Sequence, residues 1–427
     1  MRQFSARNPC GNDLLADTTH KRSELMSDWR LLAFGTLASL ASAPGQTLVI
    51  SLFNADIRSA FGLSHGDFGT FYMIATLASA AVILWSGKLI DRFDLRTVFG
   101  VTTIGLCLAC FVAGSSTGPV SLLLALFLLR HFGQGLMSHI AVTSVNRYYL
   151  RVRGKASAIV NQGFTLAEAT LPITISTMIA WIGWRQSWFV LGLIAAVIVL
   201  PLLLLLIADH KRRHGAYLDR LAIMEAEIRR IDAPPAQRQW TRAEMLRDPR
   251  FYGVIPVVLA PSFFNTGLMF HHQHIVASRG WSLDTWYVLL VAYAISSIAA
   301  SLIAGTLVDR NGARALMPVF ALPIAAGGLC LMAGGTDFWI AGVLISFGAA
   351  SGMTGAVTPP FWAEVYGVQH LGAIKAVATA VMIFASALSP ALYGWMFDAG
   401  LGVTTIGAFN VIFVIAASAC AWVALRT

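Results

Sequence analysis

Arg130 and Glu168 are the ionisable side chains that stand near the middle of long apolar stretches of this chain. A charge at that depth in hydrocarbon costs about 2.5–3.5 kcal/mol on insertion scales, so each is a functional candidate by default. The chemistry they offer is anion capture and proton exchange. A guanidinium fork grips a carboxylate through two parallel hydrogen bonds, and an embedded carboxylate can take up and release a proton. Arg130 lies in Arg130-His131-Phe132-Gly133-Gln134-Gly135, where Gln134, one helical turn on, shares its face and the glycines allow tight packing. On the following stretch Asn161, Thr165, Glu168 and Pro172 recur at i, i+4, i+7 and i+11 as one polar stripe. Sequential helices at similar depth would let Arg130 and Glu168 meet across a water-filled cavity. The functional expectation is that Arg130, Gln134, Asn161, Asn265 and Tyr293 bind substrate while Glu168 takes a coupling proton, with His131 as a relay. The alternative is a permanent buried ion pair that only fixes helix packing.

Other chemistry is thinly represented. His271, His272 and His274 cluster near one end of an apolar stretch without a carboxylate or cysteine beside them, which favours an interface anchor or an outer gate over a metal site. Cys107 and Cys110 form a C-x-x-C pair, but they lie inside an apolar run with no companion pair, and read as small packing residues. Gln46, Thr47, Thr266 and Ser296 are further pocket candidates. No nucleotide loop, metal-ligand set or nucleophile–base motif is present, so no metal, no cofactor and no enzymatic activity are expected.

The elements that must hold these residues are membrane helices. Apolar residues make up 57% of the chain and charged residues 12%, too few charges to cover so much hydrocarbon-like surface in water. Runs of about 20 apolar residues recur at 31–53, 68–90, 97–114, 120–146, 156–180 and 187–208. After a polar interval they resume at 251–277, 285–308, 316–333, 338–362, 376–397 and 403–425. Pro44-Gly45 is expected to loosen the first helix and Pro359-Pro360 to break the tenth. The net charge of +9 does not signal nucleic-acid binding, because Lys and Arg concentrate in the short segments between the runs. With the N-terminus inside, cytosolic segments hold Lys88, Arg92, Arg96, Arg147, Arg151, Arg153, Lys155, Arg310, Arg314, Lys375 and Arg426. The facing loops hold Arg58, Arg185 and Arg279. Both termini are therefore expected in the cytosol.

Four parts follow: a polar tail at 1–29 that lacks the features of a signal peptide, a six-helix unit at 30–208, a central loop at 209–250, and a second six-helix unit at 251–427. Within the loop, Leu218, Leu221, Met224, Ile228 and Ile231 fall at helical spacing and predict an amphipathic helix on the inner leaflet. Thr241-Arg-Ala-Glu244 is a capping box that opens another short helix.

The halves repeat each other. Gly87-Lys-Leu-Ile-Asp91-Arg92-Phe-Asp-Leu-Arg96 and Gly305-Thr-Leu-Val-Asp309-Arg310-Asn-Gly-Ala-Arg314 both read G-x-x-x-D-R-x-x-x-R, at an offset of 218 residues (305 − 87). Gly62-Leu-Ser64 and Gly280-Trp-Ser282 keep the same offset. Gly87 and Gly305 are expected to admit close helix contact, and Asp91 and Asp309 to pair with an arginine or cap the next helix.

On these loops the sequence resembles the major facilitator superfamily along nearly its whole length. Glu364-Val-Tyr-Gly367 with Leu371-Gly372, and Gly183-Trp184-Arg185, look like further loops of that family, and Arg130 resembles its fourth-helix arginine. The resemblance implies an all-α membrane protein with twelve helices in two parallel six-helix bundles, rocking around a midplane site. The motif residues Gly87, Asp91, Arg92, Arg96, Gly305, Asp309, Arg310 and Arg314 would then be gate and scaffold. The overall look is similar to bacterial monocarboxylate-porter-like members, and with Arg130 as the anchor the expectation is a proton-coupled symporter of a small organic anion, a monomer in the bacterial inner membrane. Two alternatives stay open: a proton-driven exporter of amphiphilic compounds, and a membrane sensor or assembly factor whose central loop docks a partner.

Overall fold

The computed structural model describes residues 28–87, 89–149, 153–210, 212, 214, 215 and 238–426. The amphipathic segment expected at 218–231, Cys10, Lys88 and Arg151 lie outside these residues.

Among the described residues the regular structure is helical, as a chain in lipid requires when every backbone group must be satisfied internally. Ten helices are long and apolar enough to cross a membrane: α2 His65–Ser86, α3 Leu95–Gly114, α4 Pro119–Tyr148, α5 Lys155–Ile182, α6 Trp184–Leu206, α7 Pro249–Phe270, α8 Leu283–Asn311, α10 Phe338–Tyr366, α11 Leu371–Asp398 and α12 Val403–Arg426. The broken helix α1 Trp29–Leu52 and the shorter apolar helix α9 Leu322–Ala333 complete two bundles of six.

The repeat is built into the backbone. Gly62 and Gly280 both end a helix in the left-handed conformation, at φ 64° and 67°, where a side chain would strain the turn. Two residues later Ser64 and Ser282 cap α2 and α8, accepting the amides of Asp67 and Thr285 at 3.0 and 3.2 Å. The Thr241–Glu244 capping box also forms, opening the short helix Arg242–Met245. Beside it the linker docks on the second bundle: the Trp240 amide donates to the Tyr366 carbonyl, and Gln239 Oε1 accepts the amides of Val368 and Gln369. Burial would lift the Asp248 carboxyl, but hydrogen bonds from the Arg250 guanidinium and amide outweigh it and hold it below its ordinary value.

Several local expectations are corrected. The ninth run is not one helix from 316 to 333. A short helix Ala313–Leu316 passes through turns into α9, because Pro318 lacks an amide and Pro323 belongs in a first turn. The seventh stops at Phe270 and restarts as a separate helix, His272–Arg279. Pro359-Pro360 does not break α10, which runs unbroken through both prolines. Proline is tolerated inside membrane helices, and α5, α7 and α11 likewise run through Pro172, Pro256, Pro261 and Pro390. Pro44-Gly45 does interrupt α1, with a 3₁₀ turn at Ala43–Gly45. Gly305 does not bring helices together, since a Cβ there would meet nothing within 4 Å. At Gly87 the nearest atom beyond its own helix is His139 Nε2, at 3.8 Å.

The bundles are zipped together on the face away from the termini. Gly69 abuts the backbone of Pro390 and Ala391, and Gly394 abuts that of His65 and Gly66, so α2 and α11 meet without side chains between them. Asp398 of α11 accepts the amides of His65 and Gly66 at 3.1 and 2.7 Å, an anion on the N-terminus of α2. Asn54 Nδ2 donates to the Phe270 carbonyl, and Gln273 bonds to both Leu52 and Ala55. On the opposite face, among the described residues, Arg147 bonds to Ile90, Glu364 to Ala313 and Arg314 to the Leu425 carbonyl, each within its own bundle. The space between the bundles is thus shut at one end.

Candidate functional site

The site begins with two glycines. A Cβ on Gly45 would collide with the backbone of Leu129, Gly133 and Gln134, so α1 and α4 touch at their main chains. That approach brings the Gly45 carbonyl within 3.0 Å of Arg130 Nη1, which donates to it. Arg130 is 4% exposed, and its guanidinium lies 4.8 Å from the Tyr72 ring centroid, a cation–π contact worth about 0.5–2 kcal/mol. Its Nε has no partner. The Tyr72 hydroxyl is fixed by Thr47 Oγ1 at 2.6 Å, and its ring packs on Phe270 across the bundle boundary at 4.7 Å.

The segment carrying Arg130 is not regular α-helix. Leu129–Met137 is a π-helical stretch, a form that recurs at functional sites. It places Arg130 and Gln134 together on the wall of a cavity of about 380 Å³ between α2, α4, α7 and α11. Gln134 also lines two neighbouring cavities, of about 260 and 350 Å³, and Glu168 lines both of those. Asn265 faces the 260 Å³ cavity along with Ser262, Thr266 and Ser386. Tyr293 of α8 is buried beside Asn265 and Ser351 and lies within electrostatic reach of Glu168. α5 and α8 therefore join the two bundles at this depth.

Arg130 and Glu168 do not form the ion pair that their depths allow. Among the described residues no salt bridge joins them. Arg130 is turned toward Gly45 and Tyr72, while Glu168 opens onto the cavities beyond Gln134. Asn161 is exposed and lies outside the lining of all three cavities. His131 lines none of the three, and its ring lies against Phe127 and Phe132 at 5.7 and 5.2 Å. Gln46, Thr47 and Thr266 do line the 260 Å³ cavity, whereas Ser296 bonds back to the Tyr293 carbonyl and packs against Gly348. Sequence reasoning missed Tyr72, Ser262, Ser351, Thr354, Thr379 and Ser386. Each is a single hydroxyl residue in an apolar helix, with no motif around it.

The motif loops are placed at the face of the termini. Asp309 and Arg310 are exposed, and the short helix after them is capped from elsewhere: Glu364 Oε2 accepts the amides of Ala313 and Arg314 at 2.7 and 3.3 Å. In the first bundle Asp94 caps α3 through the Arg96 amide, while the side chains of Asp91 and Arg92 lie outside the described ones. The histidine trio sits in the closed end. His271 Nε2 donates to the Pro390 carbonyl at 2.8 Å, His272 is held by Met269 and Tyr287, and His274 packs on His65 and Phe397. No group of metal ligands occurs among the described residues. Cys110 packs against Gly192 of α6, and both thiols of the C-x-x-C pair are free.

Twelve helices in two repeated bundles around a polar core define a known architecture, and comparison with known proteins decides its family. Residues 35–286, more than half the chain, match the model of the Major Facilitator Superfamily. The chain belongs to that superfamily. It is a transporter of a small solute rather than an enzyme. Two structures of a bacterial homolog of the human lysosomal transporter Spinster share its fold. One is inward-facing and unoccupied, with a TM-score of 0.63 and 14% identity over 93% of this chain and 96% of that one. The other is inward-facing and occupied, at the same TM-score and identity over 94% and 97%. In sequence, 150 residues of the transporter, 34% of its length, are 25% identical to the probable L-galactonate transporter of Escherichia coli (strain K12). That match spans only 32% of the relative's length.

Proposed function

We propose that this transporter is a secondary active carrier of a small organic anion such as a monocarboxylate. It works by alternating access with proton coupling, in a bacterial inner membrane, with both termini cytosolic. The observation that carries the reading is Arg130. It is a buried cation on a cavity wall that makes no salt bridge among the described residues, and part of its hydrogen-bonding capacity is unused. An anion entering from the open side would meet it just beneath the closed end, where Tyr72 and Phe270 block further passage. The partial likeness to a probable L-galactonate transporter supports this, since galactonate is a carboxylate. Glu168, which forms no described salt bridge, is the proton acceptor. Protonated, it leaves a neutral group at that depth while the loaded carrier reorients. The glycine seam between α2 and α11, which packs the bundles together on one face, supports a rocking motion about that contact.

The test is thermal stabilisation of the purified transporter by a panel of carboxylates at acidic and neutral pH. A specific shift in wild type that is lost in Arg130→Lys supports the reading. Shifts with hydrophobic cations and none with carboxylates would replace it with the exporter reading.

A further inference from the structure

The polar residues that line the cavities are not all on one side of Gln134. On the α2 side are Arg130 Nε and the buried hydroxyl of Thr76, both unpartnered and both from residues lining the 380 Å³ cavity. On the α10 side is Asn265 Oδ1, buried and unpartnered, from a residue lining the 260 Å³ cavity. Those atoms are themselves enclosed, but their residues line the cavities, so a ligand there meets a cation at one end and an amide at the other. One end must be anionic and the other must present a hydrogen-bonding group. A hydroxyl suits an amide whichever way the amide is turned. Gln134 stands between, as the residue that lines all three cavities. Its amide both donates and accepts, matching a chain of alcohols.

We infer that the site is bipartite, with the carboxylate of a polyhydroxylated acid on Arg130, its hydroxyl chain passing Gln134 to Asn265, and Gln134 as the residue that selects such acids over short ones. This rests on the anion reading above and adds to it a substrate class and a specificity determinant. A short acid on Arg130 offers fewer hydroxyls to Gln134 and Asn265. An unsubstituted fatty acid would set methylenes against both amides.

Binding of gluconate, lactate and hexanoate to the detergent-purified full-length transporter tests this by titration calorimetry. Wild type should bind gluconate at least about tenfold more tightly than either other acid, one well-made buried hydrogen bond being worth about that factor. In Gln134→Leu the gluconate-to-lactate ratio should collapse to within about twofold to threefold, and in Asn265→Ala it should fall in the same direction. Gln134→Asn, which keeps the amide, should restore part of the preference and serves if the leucine variant misfolds. Equal weakening of gluconate and lactate in Gln134→Leu would make the residue a packing element and overturn the inference while leaving the anion reading intact. Wild type that binds lactate or hexanoate as well as gluconate overturns it too. No carboxylate binding in wild type removes the anion reading, and this inference with it.

Discussion

The two bundles share a backbone plan but divide the chemistry. The first supplies both embedded charges, Arg130 on α4 and Glu168 on α5. To the same space the second supplies neutral groups: Ser262, Asn265 and Thr266 from α7, Ser351 and Thr354 from α10, and Thr379 and Ser386 from α11. A charge-assisted contact is roughly twice as strong as a neutral one. The first bundle is thus built to hold a solute and the second to touch it and let go. A carrier with strong anchors on both sides would resist the separation of its bundles, whereas this division lets the solute stay with one bundle while the other swings.

The sharpest test of that division is its strongest anchor. Arg130→Gln should cut uptake about a hundredfold, and Arg130→Lys about tenfold, because lysine keeps the charge but loses the fork. Uptake by reconstituted vesicles is the measurement, and a lysine variant working at the wild-type rate would end the claim that geometry matters at this site. Next in size is Glu168→Gln. Coupling to one proton across one pH unit supports about tenfold accumulation, which this variant should lose while still exchanging labelled for unlabelled solute. Accumulation that persists in Glu168→Gln would move the coupling group elsewhere.

The fold was legible because its cues are physical and repeated. Long apolar runs with few charges require helices, and the Gly62/Ser64 and Gly280/Ser282 pairs appear in the backbone as matched left-handed ends and caps. Arg130, Gln134, Glu168 and Asn265 were legible for a related reason, since polarity inside hydrocarbon is costly and stands out. What was hidden depends on packing. The π-helical stretch at Leu129–Met137 has no sequence signature beyond its glycines. Asn161 fitted the polar stripe but sits about two turns from Glu168, beyond the cavity walls. Pro359-Pro360 misled because a membrane helix packed among neighbours tolerates proline, as α5, α7 and α11 also do at Pro172, Pro256, Pro261 and Pro390.

Smaller effects should come from the second bundle. Asn265→Ala and Ser386→Ala should each raise the KM about twofold to tenfold, the range for one neutral hydrogen bond, and leave kcat nearly unchanged. Ser386 shares a hydrogen bond with Thr266 at 2.9 Å, so the double variant with Thr266→Ala should fall short of the sum of the single effects. A loss from Asn265→Ala as large as that from Arg130→Gln would erase the distinction between anchor and release.

The smallest effect concerns the repeated loops, where the bundles differ in how the next helix is capped. In the first, Asp94 is a local cap, taking the Arg96 amide at 3.3 Å. In the second, the place of Asp94 is taken by Gly312, at φ 81°, and the cap comes from Glu364 at the far end of α10. A local cap stabilises one helix end, while a distant one also ties α10 to the loop before α9. Both caps should be worth about 1 kcal/mol in an alanine variant, with the loss at Glu364 on the larger side because its carboxylate takes two amides. Melting of the two alanine variants in detergent compares them. Cysteine labelling at position 313 should become faster in Glu364→Ala and stay unchanged in Asp94→Ala. If the Asp94 variant loosens position 313 equally, the second loop is held by the bundle as a whole and not by Glu364.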